Sequence, residues 1–370
     1  MTNNRLVPMS VVTAPVPTPP ADRRPLVSVI IPCYNYARFL PESVGSSLSQ
    51  QDVDVEVIVV DDASKDDSAE VASAFAARDS RVRLVRHTTN TGHVVAFNDG
   101  YAEATGEFIV RLDADDLLTP GSLSRAVALF DAYPSVGLVY GHPNHFETET
   151  PPEPTLDLRG WTIWSGADWI AERCRKGFNC ITTPEAIIRG SVMKSIGGLD
   201  TRLRFAQDME MWLRTAAVSD VGHVDGPDQA LHRDHATSMS VTDGAGELTD
   251  MTERRTVFEV LFEGPGGKLP GAAHMLETVR KQIASEAITR AYHAYDRGQA
   301  QQREKDIEIF IAFARETYAK VEELPAWRAL QWRQRVGPRL SPLTPPFVAS
   351  AVLRRLKRDA DYRDWVRTGV

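Results

Sequence analysis

Three groups of acids in this chain have the types and spacing for chemistry. Asp113-Ala114-Asp115-Asp116 follows the apolar run Phe108 to Leu112. Carboxylates this close repel one another unless a cation or solvent compensates. Their hard oxygens suit Mg²⁺ or Mn²⁺, which bind one or two protein carboxylates together with substrate phosphates. Taken alone, the tetrapeptide reads equally as a solvated acidic turn capping the next helix. Asp61-Asp62 follows a second apolar run; here an aspartate caps a helix or accepts hydrogen bonds from a base or ribose. Tyr34 has a ring that either stacks on a nucleobase or simply packs. Asp208 opens the stretch Gln207-Asp208-Met209-Glu210-Met211-Trp212. It is a first-turn acid favoured by the helix dipole, or a general base facing the other acids. A histidine in Leu231-His232-Arg233-Asp234-His235 is a metal ligand, a phosphate contact or a structural side chain.

The elements that must position these residues alternate. Leu26 to Ile31 reads as a buried strand, Phe39 to Gln51 as a helix, and Val53 to Val60 as a second strand. Asp61 to Ser64 caps a helix predicted to run to Arg78. Val82 to Val85 is a strand, Gly92 to Ala104 a helix, Phe108 to Leu112 a strand, Pro120 onward a helix, and Val136 to Tyr140 a strand. Such alternation with short connections calls for an α/β fold with a mostly parallel sheet. Ligands in these sheets bind beyond the carboxyl ends of the strands, and the unusual polar residues lie at three such ends. Residues 143–165 read as a loop, Ala206 to Ala217 as a helix, and the chain from about Met251 onward as helical.

Composition narrows the field. The chain has 370 residues with 42 Lys+Arg against 50 Asp+Glu, and this acidic balance disfavours a nucleic-acid partner. Cys33, Cys174 and Cys180 fit no zinc or disulfide spacing, so reduced thiols and a cytoplasmic setting are expected. No run approaches the length of a membrane span. Residues 1–25, with six prolines, read as a disordered leader. Residues 328–370 carry ten Lys/Arg and three Asp, a net +7 that leaves −15 for the remainder. Within that tail Val348, Val352, Leu353 and Leu356 share one side of a helical wheel, while Arg354, Arg355, Lys357 and Arg358 lie opposite. Such a helix either packs on its own domain or, through 340–370, meets an anionic membrane surface.

In order along the chain, these stretches resemble the family 2 glycosyltransferases. Val27 to Asn35 is similar to that family's first strand and nucleotide loop, Glu56 to Ser64 to its second strand and uridine-binding aspartates. Asn90-Thr91-Gly92 with Ala96, Asn98 and Gly100 resembles its glycine-containing helix start. Leu112 to Asp116 resembles its metal-binding DxD segment. Ile196 to Asp200, Gln207-Asp208 and Trp212-Leu213-Arg214 resemble its acceptor-side loop and catalytic helix. Gln207 departs from the family's usual Glu, and Phe97 from a common basic residue.

The resemblance, over about residues 26–240, implies a GT-A fold with a helical extension over 241–370. It implies metal-dependent, inverting transfer from a nucleotide sugar, expected to be a UDP-sugar, to a carbohydrate or lipid-linked hydroxyl in surface polysaccharide or glycolipid synthesis. Asp208 would be the base. Pro32, Tyr34, Asp61, Asp62, Asn90, Asn98 and Asp113 would hold the donor, with Tyr34 and Asp62 on uracil. Asp113, Asp115 and His235 would bind Mn²⁺ or Mg²⁺, and Gly198 and Trp212 would face the acceptor. A binding-only scaffold is the principal alternative. A haloacid-dehalogenase-type phosphatase would want Thr or Val where Leu117 stands, and a nucleotidylyltransferase would want a basic Gly-rich loop after the first strand.

Overall fold

Two runs of β-branched residues build the heart of the parallel part of the sheet. β2 (Leu26–Cys33) and β3 (Asp54–Asp61) are buried along nearly their whole length, as strands covered on both faces must be. The structure, a computed structural model, describes residues 6–17, 23–235 and 246–370. These form two units. One holds the described residues up to Ile170, those from Asn179 to His235, and Val366–Gly369; the other holds Ala171–Phe178, the described residues from 246 to Trp365, and Val370.

The first unit opens with β1 (Ser10–Thr13), and β2 leads into α1 (Leu40–Leu48). After β3 come α2 (Ser68–Arg78), β4 (Val82–Arg86), α3 (His93–Ala102), β5 (Phe108–Arg111), the short β6 (Leu117–Leu118) and α4 (Ser122–Ala132). β7 (Val136–Phe146) and β8 (Gly160–Trp164) precede α5 (Gly166–Lys176). The rest is β9 (Ile187–Arg189), α6 (Gly190–Ile196), α7 (Gln207–Ala216) and β10 (Asp220–Arg233). The strands lie in the order β1-β8-β10-β7-β9-β5-β2-β3-β4, with β6 on β10.

The sheet is mixed, not mostly parallel. β5, β2, β3 and β4 run parallel, as does β10 on β7, but β9, β8, β6 and β1 join antiparallel. The alternating half of the sequence built the parallel part; the antiparallel strands come from stretches without that rhythm. Gly160–Trp164 is one of them, a fully buried strand inside the stretch read as loop. Part of the expected leader is likewise ordered, since Ser10–Thr13 pairs with Gly160–Ile163; residues 1–5 and 18–22 lie outside the described residues. The second helix starts at Ser68, not at Asp61-Asp62, because the intervening loop is bound to the turn after β2.

The second unit is helical: α8 (Glu247–Glu263), α9 (Ala272–Asp296), α10 (Glu304–Thr317), α11 (Pro325–Val336) and α12 (Pro345–Thr368, to Trp365 in this unit). Val279, Ile283, Ala287 and Ala291 bury one stripe of α9, and Ile307, Phe310 and Ala314 one stripe of α10. On α12 the arrangement is inverted. Phe347 is buried, Ser350 accepts from Arg333 at 3.2 Å, and Arg354 points inward to Asp296 at 3.1 Å. Val348, Val352, Leu353 and Leu356 are instead 50, 54, 65 and 59% exposed. The apolar side of this helix is therefore left in solvent, together with Arg355 and Lys357.

Candidate active site

Parallel pairing brings the acids together. Ile30 sits opposite Arg111 and Cys33 opposite Asp61, so β2, β3 and β5 end at the same edge of the sheet. Asn35, in the left-handed region at φ 61°, turns the chain after β2. Its Oδ1 accepts from the Lys65 N–H at 2.7 Å, its own N–H donates to Ser64, and Asp66 accepts from Ala37 N–H. Pro32 is buried in β2, while Tyr34 on this turn is half-buried.

Asp61 and Asp62 differ sharply. Asp62 Oδ1 accepts from the Thr91 N–H and hydroxyl and lies 2.8 Å from His87 Nδ1; Oδ2 accepts from Gly92 N–H at 2.7 Å. Burial favours its neutral form, but these donors win and hold its carboxyl below the usual range. Asp62 thus braces the turn into α3. Asp61 is equally buried, and its Oδ1 has no partner among the described residues. Asn90 is exposed on that same turn.

At the tip of β5 the Asp116 N–H returns to the Asp113 carbonyl at 3.0 Å, closing a tight acidic turn. Arg111, itself buried, donates from Nε and Nη2 to Asp113 Oδ1 at 3.0 and 2.9 Å. Burial acts upward on Asp113, but Arg111 draws its carboxyl below the ordinary range. Among the described residues Arg111 Nη1 has no partner. Burial and the charge of Asp113 push Asp115 upward, against the pull of His235, whose Nε2 lies 2.7 Å from Asp115 Oδ2. A cation relieves that repulsion, and two carboxylates plus one imidazole are a donor set that Mn²⁺ or Mg²⁺ accepts. Asp113, Asp115 and His235 thus supply donor types that suit a divalent metal, although among the described residues only His145, His232 and Asp234 already bring three ligand atoms within 4.8 Å of one another.

Arg233 holds this corner in place. Its guanidinium lies 4.7 Å from the Phe39 ring and 4.6 Å from Phe146, and reaches Glu42 at 2.5 Å. Its Nε donates to the Asp115 carbonyl and its backbone N–H to Asp116 Oδ1. The other oxygen of Asp116 meets His232 Nδ1 at 3.0 Å.

The first turn of α7 carries Asp208. Burial pushes its carboxyl up to about 6, and Arg111 and Asp113 both act on it, in opposite directions. The helix therefore does face the β5 tip. Neighbouring Gln207 donates its amide to His93 Nε2 at 2.8 Å; burial, helped by Arg111, keeps that imidazole neutral by pushing it down to about 4. A neutral amide beside a neutral imidazole accounts for glutamine in the place of glutamate.

Further along α7, Arg214 is paired with Glu210 at 2.8 Å and donates to the carbonyls of Ile196 and, at 2.7 Å, Gly198. Across the same loop Asn98 donates to the Leu199 carbonyl at 3.0 Å and accepts from the Leu199 N–H at 2.7 Å. Both ends of the Asn98 amide are thereby committed, so Asn98 positions the loop. Gly198 packs on it so closely that a Cβ would lie 2.2 Å from Asn98 Oδ1. Trp212 is 1% exposed and belongs to the core, where Phe97 is also buried; it offers no surface to an acceptor.

Four residues at this site escaped sequence reasoning: Arg111, His93, Asn179 and Arg233. Asn179 donates to Asp208 Oδ2 at 2.9 Å from a stretch without recognisable pattern. Arg111 had left a signal, a charge within the otherwise apolar run Phe108 to Leu112.

Residues 28–192 match the family model described as Glycosyl transferase family 2. The putative glycosyltransferase EpsE of Bacillus subtilis is 30% identical over 51% of this chain and 66% of its own. The O-antigen biosynthesis protein RfbC of Myxococcus xanthus is 29% identical over 60% of this chain and 17% of its own. An uncharacterized glycosyltransferase of Nostoc, alr2836, is 40% identical over 31% of this chain and 35% of its own. The chain thus spans less than two thirds of each of these relatives. Among solved structures, S. aureus TarS 1–349 in complex with UDP-GlcNAc superposes with a TM-score of 0.57 at 14% identity, over 85% of this chain and 89% of that one. The mannosyltransferase PcManGT of Pyrobaculum calidifontis, in complex with GDP-Man and Mn²⁺, gives 0.53 at 19% identity over 93 and 90%. Chain order, strand-tip chemistry and these likenesses converge: residues 28–192 resemble glycosyl transferase family 2, and the fold is that of the GT-A glycosyltransferases.

Proposed function

We propose that this chain transfers a sugar from a nucleotide diphosphate sugar to an acceptor hydroxyl with inversion at the anomeric carbon. The observation that carries the reading is Asp208, a carboxyl held at about 6 opposite the Asp113–Asp115 tip. A base poised near neutrality suits proton abstraction. Asp208 takes the hydroxyl proton as the acceptor oxygen bonds to the anomeric carbon; the bond to the diphosphate oxygen breaks on the opposite face. Asp113, Asp115 and His235 would hold Mn²⁺ or Mg²⁺, whose positive charge would offset that of the departing diphosphate. Tyr34 lies beside the base, and the unpartnered Asp61 oxygen accepts a base or ribose hydrogen. Pro32 and Asn90 line the same edge. A UDP-sugar is the donor we favour, supported by the TarS complex; the GDP-Man complex names the competitor. Gly198 borders the acceptor side through the loop that Asn98 and Arg214 hold. The test is a panel of nucleotide sugars with Mn²⁺, scored for binding and for hydrolysis without acceptor. Binding of none overturns the reading.

The names of the relatives support a role in surface polysaccharide or glycolipid assembly, and the second unit supports peripheral contact with the inner membrane face. No helix among the described residues is long and apolar enough to cross a membrane. Leu340 and Leu343, just before α12, are also exposed, at 61 and 76%, within the segment of net charge +7. Apolar side chains among arginines match an anionic lipid surface; a second copy would set arginines against arginines. Binding to vesicles containing phosphatidylglycerol, weakened by salt and by Val352→Asp with Leu356→Asp, is expected. Equal binding by that variant removes the membrane from the proposal.

A further inference from the structure

Beside the proposed catalytic corner, and turned away from it, lies a second cluster of ligand-type side chains. β7 and β10 run parallel with His145 opposite His232, so the two imidazoles are register neighbours with ring centroids 4.8 Å apart. Asp234, two residues beyond His232, returns to the same side. Its Oδ2 lies 3.1 Å from His145 Nδ1 and its Oδ1 3.8 Å from His232 Nε2. One ligand atom from each of the three lies within 4.8 Å of the others. Arg233 and His235 alternate to the opposite side, against Phe39, and there reach Glu42 and Asp115 respectively. The two faces of one short stretch therefore serve two different sites.

We propose that His145, His232 and Asp234 form a second divalent-metal site, suited to a borderline cation of the zinc class and separate from the Asp113–Asp115 tip. Three observations support it. First, two nitrogens and one carboxylate oxygen favour Zn²⁺, Co²⁺ or Ni²⁺ over Mg²⁺, whereas the β5 tip is richer in oxygen. Second, His232 is already oriented as a ligand. Its Nδ1 is held at 3.0 Å by Asp116, a carboxylate 1% exposed whose other oxygen takes the Arg233 N–H. A carboxylate behind the far nitrogen is the usual support of a metal-binding imidazole, fixing its tautomer and its direction. That leaves Nε2 turned to Asp234. Third, ligand atoms in a tetrahedral zinc site are about 3.3–3.5 Å apart, from bonds of about 2.0–2.1 Å. The cluster needs a contraction of about 1 Å, which small rotations of His145 and Asp234, both about half exposed, supply.

Bound there, the cation ties the end of β7 to the end of β10 one residue before His235. The site would be a positioning device for that corner, and it stands whether or not the transfer reading does. A candidate of this kind must be distinguished from adventitious surface binding.

The experiment uses the full chain, freed of metal with a chelator and held in excess Mg²⁺ to fill the β5 tip. Zn²⁺ affinity is read by competition with a chromophoric chelator, and Co²⁺ by its visible absorption. One equivalent is expected. His145→Ala and Asp234→Ala should each weaken it at least about tenfold and abolish the cobalt spectrum, and Asp116→Asn should weaken it by about 10–100-fold. Asp115→Asn should leave it unchanged. Zinc affinity equal to wild type in His145→Ala and Asp234→Ala overturns the site, as does a loss seen only in Asp115→Asn. Circular dichroism of each variant confirms the fold, and both alanines replace half-exposed side chains.

Discussion

Asn179 donates from Nδ2 to Oδ2 of Asp208 at 2.9 Å, and among the described residues no side chain donates to Oδ1. A base bound at one oxygen is aimed as well as tuned. In the proposed reaction the direction of proton transfer would thereby be set by a residue far from α7 in sequence.

Asp208→Asn should abolish transfer and retain nucleotide-sugar binding. It should also stabilise the protein. The folded carboxyl sits at about 6, above the 3.8 of an ordinary aspartate, so the native state holds the proton more tightly than the unfolded chain. Ionisation therefore costs the fold about 3 kcal/mol above pH ~6, and nothing below pH ~4. Thermal melts should show the variant more stable at neutral pH and level with wild type in acid. Unchanged turnover would remove Asp208 from the mechanism.

The pH profile of kcat/KM should rise through an acid limb near 6, following Asp208. Removing groups that favour the carboxylate moves the limb. Arg111→Met takes away a nearby positive charge and Asn179→Ala a hydrogen bond, so both should displace it to higher pH. A limb unmoved in both variants would assign it to another group.

Chelation should stop transfer, and Mn²⁺ should restore it. Asp115→Asn and His235→Ala should each raise the Mn²⁺ concentration for half-maximal rate by about tenfold or more. Full activity in the presence of chelator would rule out the metal at the β5 tip.

Asn98 and Gly198 should behave as one unit. Gly198→Ala drives a methyl into the Asn98 amide and should destabilise by about 1–3 kcal/mol. In an Asn98→Ala background the same change should cost little, because the obstructing atoms are gone. A double-mutant cycle by urea unfolding measures the coupling; additive effects would separate the two residues.

Much of this site was legible because strand tips write themselves into sequence. An apolar run broken by Asp-Asp or by Asp-Ala-Asp-Asp marks where a parallel strand ends, and β3 and β5 end there. The division of labour between Asp61 and Asp62 was not legible. Two adjacent acids look alike until Thr91 and Gly92 fold back onto one of them. Asn98 carried a nucleotide-contact expectation from its motif, yet its amide is committed to Leu199 a hundred residues on. β1 and β8 escaped because edge pairing is decided by the partner strand and not by local pattern. For α12 the wheel correctly separated apolar from basic residues, but a wheel cannot say which side meets the protein.

If the proposed membrane contact holds, that outward-facing apolar side would give the chain two opposite responses to salt. Bringing two such ridges together also brings their guanidinium groups together, and in dilute buffer this repulsion keeps the molecules apart. Added electrolyte screens it, so self-association should grow with ionic strength while adhesion to an anionic bilayer fades. Ionic strength would then act as a selector, switching one surface between a lipid partner and a copy of itself.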